Sequence, residues 1–424
     1  MTPAVGYTEM KESGIEWVGK IPKEWKVTRM KTILQNVSEK NHPDAIVLSL
    51  YRDLGVVPKN SRDDNHNVTS EDTSNYKFVR CGDLVINKMK AWQGSLAVSE
   101  FEGIVSPAYY VCKFISNSTD KKYLHYLLRC RPYAQEFERL STGMRVGQWD
   151  LGIDDFLRIP VICPSISEQT AIAAYLDSQC AKIDEIIAEA KASIEDYKQW
   201  KASIIYEAVT KGLDPNAEMK DSGIEWVGEI PMDWKPMRFK FVATVKANLV
   251  NPKDYPKLLQ VAPDNVVKDT GTLLPCNTVA ESGVISWNHL FYKGQLLYSK
   301  IRPTLNKVVV APFDGLCSAD MYPIETTQNI KFMLYVMLSE YFVQQVALCT
   351  ADRVKMPKIN QEELGNITVI IPSISKQKQI VDYLDSRCNF FDMLIKEKKT
   401  LISDLEAYKK SLIYEVVTGK RRVC

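Results

Sequence analysis

Histidine is scarce in this 424-residue chain, limited to His42, His66, His125 and His289, and none has cysteine or histidine neighbours at metal-ligand spacing. The ten cysteines stand singly, at Cys81, Cys112, Cys130, Cys163, Cys180 and onward, with no CxxC pair. That pattern speaks for small buried hydrophobes and against a disulfide frame or a structural metal. No GxxxxGK[ST] loop and no GxGxxG turn occurs, so the backbone cradle for ATP or a dinucleotide is missing. A [DN]PP[FY] stretch, which would hold an extruded adenine beside a methyl donor, is absent, as is a GxSxG elbow. The ExK tripeptide at 397–399 falls in a helical pattern, away from any strand, and reads as a solvated face. No apolar run approaches the roughly eighteen residues of a membrane span. The opening MTPAVGYTEMKESG lacks a basic stretch followed by an apolar one, so a cytoplasmic protein is expected. Covalent chemistry by this chain is not expected.

The composition is that of an ordered protein, 45% hydrophobic and 25% charged. Its length exceeds what one core usually holds, so two or more domains are expected. A formal charge of +2 leaves the partner open. A nucleic-acid binder this near neutrality must concentrate its cations on one surface.

Two internal repeats organise the chain. SGIEWVGKIPKEW begins at Ser13 and returns as SGIEWVGEIPMDW from Ser222, identical at ten of thirteen positions. ICPSISEQTAIAAYLDSQCAKIDEII begins at Ile162 and returns as IIPSISKQKQIVDYLDSRCNFFDMLI from Ile370, and SIIYEAVTKG (203–212) returns as SLIYEVVTGK (411–420). The offsets are 209 and 208 residues, the mark of a tandem duplication. Residues 26–158 and 235–366 share almost no continuous identity. A common frame therefore holds two different modules.

The second repeat predicts a long helix in each copy, capped by a serine of the PSIS turn. An apolar or neutral seam runs through Ile172, Leu176, Gln179, Ile183, Ile186, Ala190, Ser193, Tyr197, Trp200 and Ile204. Its second copy runs through Ile380, Leu384, Arg387, Phe391, Leu394, Lys398, Leu401, Leu405, Tyr408 and Leu412. About forty residues make a rod of about 60 Å, and such a seam needs a partner helix. Self-association between chains is one solution. Pairing within the chain is favoured by effective concentration, and run antiparallel it places one module at each end of the rod. The chain's end then returns to its beginning, giving a pseudo-twofold ring cut once. Trp17, Trp25, Trp226 and Trp234 are expected to pack the opening strand of each module against the helix ends.

Strand signals at 44–50, 82–88, 103–114, 306–313 and 366–372, with helical signals at 122–130 and 330–347, predict an α+β fold. Each module also carries basic clusters. The first has Lys88, Lys90 and Gln93 in NKMKAWQG, then Arg145 and Gln148 in STGMRVGQWD. The second has Lys300, Arg302, Asn306 and Lys307 in SKIRPTLNK, then Arg353, Lys355 and Lys358 in TADRVKMPK. Lysine and arginine neutralise phosphates, while arginine, glutamine and asparagine can pair with base edges. A single basic loop is usually just solvated; the signal is that clusters fall at comparable places in both halves. Trp92 is expected in the core.

On these residues the chain resembles the specificity subunit of type I restriction-modification systems. The shared features are GIEWVG-x-IP-x-x-W, the PSIS-x-Q opening of both helices, and their YLD and YE-x-VT steps. NKMKAWQGS with EGIVSPAY, and SKIRPTLNKVVVAP with DGLCSADMY, resemble two recognition-domain subtypes. The resemblance implies an arm (1–20), a first target-recognition domain (21–165), a spacer helix (166–212), a second recognition domain (213–373), and a second spacer helix with a tail (374–424). It implies mixed α/β recognition domains that each read half of a split, asymmetric site in double-stranded DNA, with the antiparallel helices fixing the gap. Two methyltransferase subunits would bring S-adenosylmethionine, and restriction (translocase) subunits would bring ATP and magnesium chemistry. This chain itself would bind no cofactor. The competing readings are a coiled-coil adaptor for other proteins and a self-sufficient methyltransferase or nuclease.

Overall fold

The computed structural model describes residues 6–52, 54–61, 72–143, 149–353 and 355–423. Its longest elements are two helices, Ile166–Thr210 and Ile374–Val417, of 45 and 44 residues. Ser165 starts the first: its carbonyl accepts the Gln169 N–H at 2.9 Å and its hydroxyl the Glu168 N–H at 3.3 Å. Ser373 repeats both bonds to Gln377 and Lys376, at 2.9 and 3.4 Å. These hydroxyls satisfy donors that a helix start leaves open. The ExK tripeptide lies inside the second long helix.

The chain divides into two compact units, one of residues 1–190 and 400–424, the other of residues 191–399. Each unit thus takes one part of each long helix. In the first unit Tyr123 Oη donates to the carbonyls of Ile162 and Val417, while Asp184 pairs with Lys409. In the second unit Lys201 pairs with Asp392, and Tyr197 and Trp200 lie against the Phe391 ring. The helix segments therefore run antiparallel within each unit.

The buried line on the first helix is Ala173, Leu176, Cys180, Ile183, Ile187, Ala190 and Ile194. It keeps the heptad spacing, but Gln179, Ile186 and Ser193 give way to their C-terminal neighbours Cys180, Ile187 and Ile194 as the inward positions. Ile186 and Trp200 are exposed, as are Leu401 and Tyr408 on the second helix.

Each opening motif folds as a hairpin. Met10–Glu12 pairs with Lys20–Pro22, and Met219–Asp221 with Glu229–Pro231. Ile15, Val18, Ile21 and Trp25 pack with Leu412, Val416 and Val417 of the second helix. Ile224, Val227, Ile230 and Trp234 pack with Ile205, Ala208 and Val209 of the first. The tail thus completes the unit formed by the first 190 residues, as a cut ring requires. Lys420 reinforces this by donating to the carbonyls of Val18 and Lys20. Trp25 and Trp234 are buried as expected, and Trp17 meets Tyr133 edge-on at 4.8 Å. Trp226 departs from expectation: its ring is exposed, and only its carbonyl is held, by Tyr206 Oη at 3.0 Å.

Beyond the hairpins, the two divergent modules share one sheet. In the first the antiparallel order is Leu34–Val37, Tyr109–Phe114, Leu84–Asn87, Leu96–Val98. In the second it is Ala243–Val245, Met321–Thr326, Leu296–Ser299, Val308–Val310. A further sheet differs. Among the described residues the first module has two strand pairs joined only by a parallel bridge of Val47 to Ile104, whereas the second has four strands with Leu259–Val261 parallel to Gly315–Ser318. The helical signal at 330–347 resolves into Ile330–Leu338 and Glu340–Cys349, bent by 63° at Ser339, whose extended ψ of 149° ends the first helix. Phe332, Met333, Val336, Tyr341, Phe342 and Val346 of this pair are buried in the core of their unit. Among the described residues, no single helix is long and apolar enough to cross a membrane.

Candidate nucleic-acid interface

In the first module the sheet strand Leu84–Asn87 runs directly into Lys88 and Lys90. The Leu151 N–H donates to the Lys88 carbonyl at 3.1 Å, and Thr142 bridges to Asp150. NKMKAWQG therefore meets the described end of a distant segment, residues 149–151. Lys88 Nζ lies 2.7 Å from Asp150, whose hydrogen bond holds the ammonium above its ordinary pKa. Lys90 and Gln93 are exposed. Arg145 and Gln148 lie outside the described residues. Trp92 is half-buried rather than in the core, packed on Trp149 at 5.4 Å with its indole N–H donated to the Met89 carbonyl.

A lysine that sequence reasoning missed, Lys77, extends this surface, with Lys40 near enough to repel it. Lys77 is half-buried and donates to the Tyr109 carbonyl at 2.6 Å. Burial, and then repulsion from Lys40 and Lys88, pulls its pKa below the usual lysine range. Strand pairing across the module creates this grouping, and nothing local in the sequence announces it.

The second module repeats the construction with other residues. After strand Leu296–Ser299, Ile301 bridges to Lys358, the Arg302 N–H donates to the Pro357 carbonyl at 2.8 Å, and the Ile359 N–H to the Lys300 carbonyl at 3.0 Å. A hollow forms there, lined by Lys300, Tyr322, Arg353, Lys355 and Lys358. Lys300 stands over the Tyr322 ring at 5.2 Å, and Lys358 pairs with Asp320 at 3.1 Å. Arg353 is bound to the Glu363 carboxylate, which lowers the acid's pKa and raises the guanidinium's. Arg302 and Lys355 are exposed, and neither side chain has a polar partner among the described residues. The remaining two candidates turn inward. Asn306 is 1% exposed, at a left-handed φ of 46°, with its amide donating to the Leu338 carbonyl. Lys307 donates to the Pro263 carbonyl at 2.8 Å and pairs with Asp264. Asn306 thus shapes the turn and presents no free amide to solvent.

The repeated helix motifs tie each module to its helix. Gln169, fully buried, accepts the Asp120 N–H at 2.8 Å and donates to the carbonyls of Ser118 and Pro164. Gln377 accepts the Asn329 N–H at 2.9 Å in the same way. Asp177 takes Lys122 and Tyr126 at 2.7 and 2.8 Å; Asp385 takes Lys331 and Tyr335 at 2.5 and 2.7 Å. Burial and these carboxylates push both phenols above their ordinary range. Each helix thereby holds the first helix of its module in a fixed pose.

A family model described as the type I restriction modification DNA specificity domain matches residues 22–196 and again 231–404. The chain is 27% identical to the EcoDI type I restriction enzyme specificity subunit of Escherichia coli, covering 95% of this chain and 90% of that one. It is 25% identical to the MjaVIII specificity subunit of Methanocaldococcus jannaschii, over 82% and 83% of the two chains. Among solved structures, one from work on complex assembly and conformational transition of the type I R-M system superposes with a TM-score of 0.70 at 13% identity, covering 94% of this chain and 98% of that one. The HsdS subunit of Thermoanaerobacter tengcongensis gives 0.52 at 14% identity, with the same coverage. At these identities the two structures speak to the fold alone.

Proposed function

This chain belongs to the type I restriction-modification DNA specificity family and is a specificity subunit, and from that premise we propose that each of its modules reads one half of a split site in double-stranded DNA. The observation that carries this reading is the shared sheet. Two modules of unrelated sequence deliver basic loops from the same strand position, and the loops differ in their side chains. A common scaffold with different loops is what two different half-sites require. Exposed lysines such as Lys90 and Lys355 suit phosphates, and Gln93 and Arg302 suit base edges.

The helices serve as spacer and dock. Ile186, Trp200, Phe390, Met393, Leu401 and Tyr408 are large apolar side chains left exposed on them, and such surface marks partner contacts. Two methyltransferase subunits carrying S-adenosylmethionine would occupy it in the cytoplasm. Restriction subunits would add ATP- and magnesium-dependent translocation and cleavage. Methylation and cleavage would belong to those partners.

Duplex binding by the assembled complex, measured at rising salt, tests the reading. Affinity should fall steeply with salt, and Lys90→Ala and Lys355→Ala should each lower the log–log slope by about one counterion. Salt-insensitive binding to a protein alone would favour an adaptor, and methyl transfer by the purified single chain would favour a self-sufficient enzyme.

A further inference from the structure

Ile285 is the most exposed large apolar side chain among the described residues, at 84%, and Trp287 is the most exposed tryptophan, at 59%. Both precede strand Asn288–Phe291, whose Asn288 pairs with Ser318. Ser318 Oγ accepts the Asp320 N–H at 3.2 Å. The Asp320 carbonyl in turn accepts the Lys300 N–H at 2.9 Å, and its carboxylate takes Lys358 Nζ at 3.1 Å. Trp287 therefore stands one residue before its strand, at the end of the module's other sheet, which the Asn288–Ser318 pair and the turn through Asp320 join to the basic hollow. His289, next along the strand, reports the same proximity: burial and then the Lys300 charge hold its imidazole below the ordinary range.

The first module lacks this feature. Its strand Lys77–Val79 sets Val79 opposite Gly103, as Phe291 stands opposite Gly315. Counting back equally from these residues, the positions of Trp287 and Ile285 are taken by Asn75 and Thr73, both polar. The exposed aromatic is thus a property of the second reader and not of the shared frame.

An indole left in water beside a cluster of cations suits a polyanion with apolar faces. Cations hold the phosphates, and a ring or branched side chain then contacts bases or parts a base step. We propose that Trp287, flanked by Ile285, is an apolar wedge pressed against the bases of the half-site read by the second module, so that a base step away from the methylated adenine is disturbed there and not in the other half. The proposal rests on the DNA-reading function above.

The test uses the full chain with its methyltransferase partners, on a short duplex cut from a mapped methylation site, with 2-aminopurine placed in turn along each half. Away from the adenines that the methyltransferase subunits extrude, unstacking should raise the fluorescence in one half only. Trp287→Ala should abolish that signal and weaken binding about tenfold, within the range of one aromatic–base contact. Its salt slope should be unchanged, since no charge is removed, and Trp287→Phe should retain most of both signals. Wild-type affinity and fluorescence in Trp287→Ala would overturn the wedge. If Lys355→Ala and Lys358→Ala nevertheless weaken binding, the wedge alone is wrong; if they too have no effect, the DNA-reading function of this module fails with it. Loss of methyltransferase assembly by Trp287→Ala without DNA would make the residue a protein contact and also overturn the proposal.

Discussion

Asp184 and Lys409 meet at 2.7 Å in the first unit, and Lys201 and Asp392 meet at 2.7 Å in the second. Moving 208 residues along the chain turns Asp184 into Asp392 and Lys201 into Lys409. The two bridges are one contact written twice with its partners exchanged, as antiparallel pairing of a duplicated helix dictates. Asp184→Lys should lower the melting temperature, and adding Lys409→Asp should restore part of the loss. A double-mutant cycle should give about 0.5 kcal/mol of coupling, since both carboxylates are well exposed, and the coupling should shrink with salt.

The helix ends supply a second prediction. Gly212 and Gly419 follow the two long helices at φ of 79° and 70°, each beneath a tryptophan. A methyl group at 419 would overlap Pro22 and fall 3.2 Å from Trp25, whereas at 212 it would fall 3.0 Å from Trp234, with Pro231 at an ordinary 3.9 Å. Either alanine pays the left-handed penalty of about 1–2 kcal/mol, and Gly419→Ala also meets a rigid ring. Thermal melts should therefore rank Gly419→Ala as more destabilising than Gly212→Ala.

A pH dependence follows from His125. Arg129 donates to its Nε2 at 3.2 Å, which requires that nitrogen to be unprotonated. Burial first, and the Arg129 charge second, lower its pKa from 6.5 to about 4. Between those values the unfolded chain binds a proton that the folded chain refuses, so stability is full above pH 6.5 and falls as the pH drops toward 4. His125→Gln, which keeps an acceptor for Arg129, should flatten the stability profile between pH 6.5 and 5 relative to wild type.

The frame was legible in the sequence, and the readers were only partly so. Duplication exposed the helices, their serine caps and the return of the tail, because identical solutions at a fixed offset need no knowledge of packing. From Gln179 on, every other seam position slipped by one residue, while Ile183 and Ala190 held. Ile186 and Ile187 are adjacent and equally apolar, so spacing alone cannot choose between them, and packing buries Ile187. Strand order was not legible, since it depends on pairings such as Val111 with Val37 and Val85. Asn306 read as a base-contacting amide, but its positive φ spends it on a buried turn. Lys40 and Lys77 gave no signal, because only the folded module brings them toward Lys88.

The central claim is that two independent readers share one frame. Exchanging residues 26–158 for the matching segment of a relative, and mapping methylated adenines in the host before and after, tests it directly. One half of the split site should change, while the other half and the gap stay as they were. A change in both halves, or in the gap alone, would contradict the account.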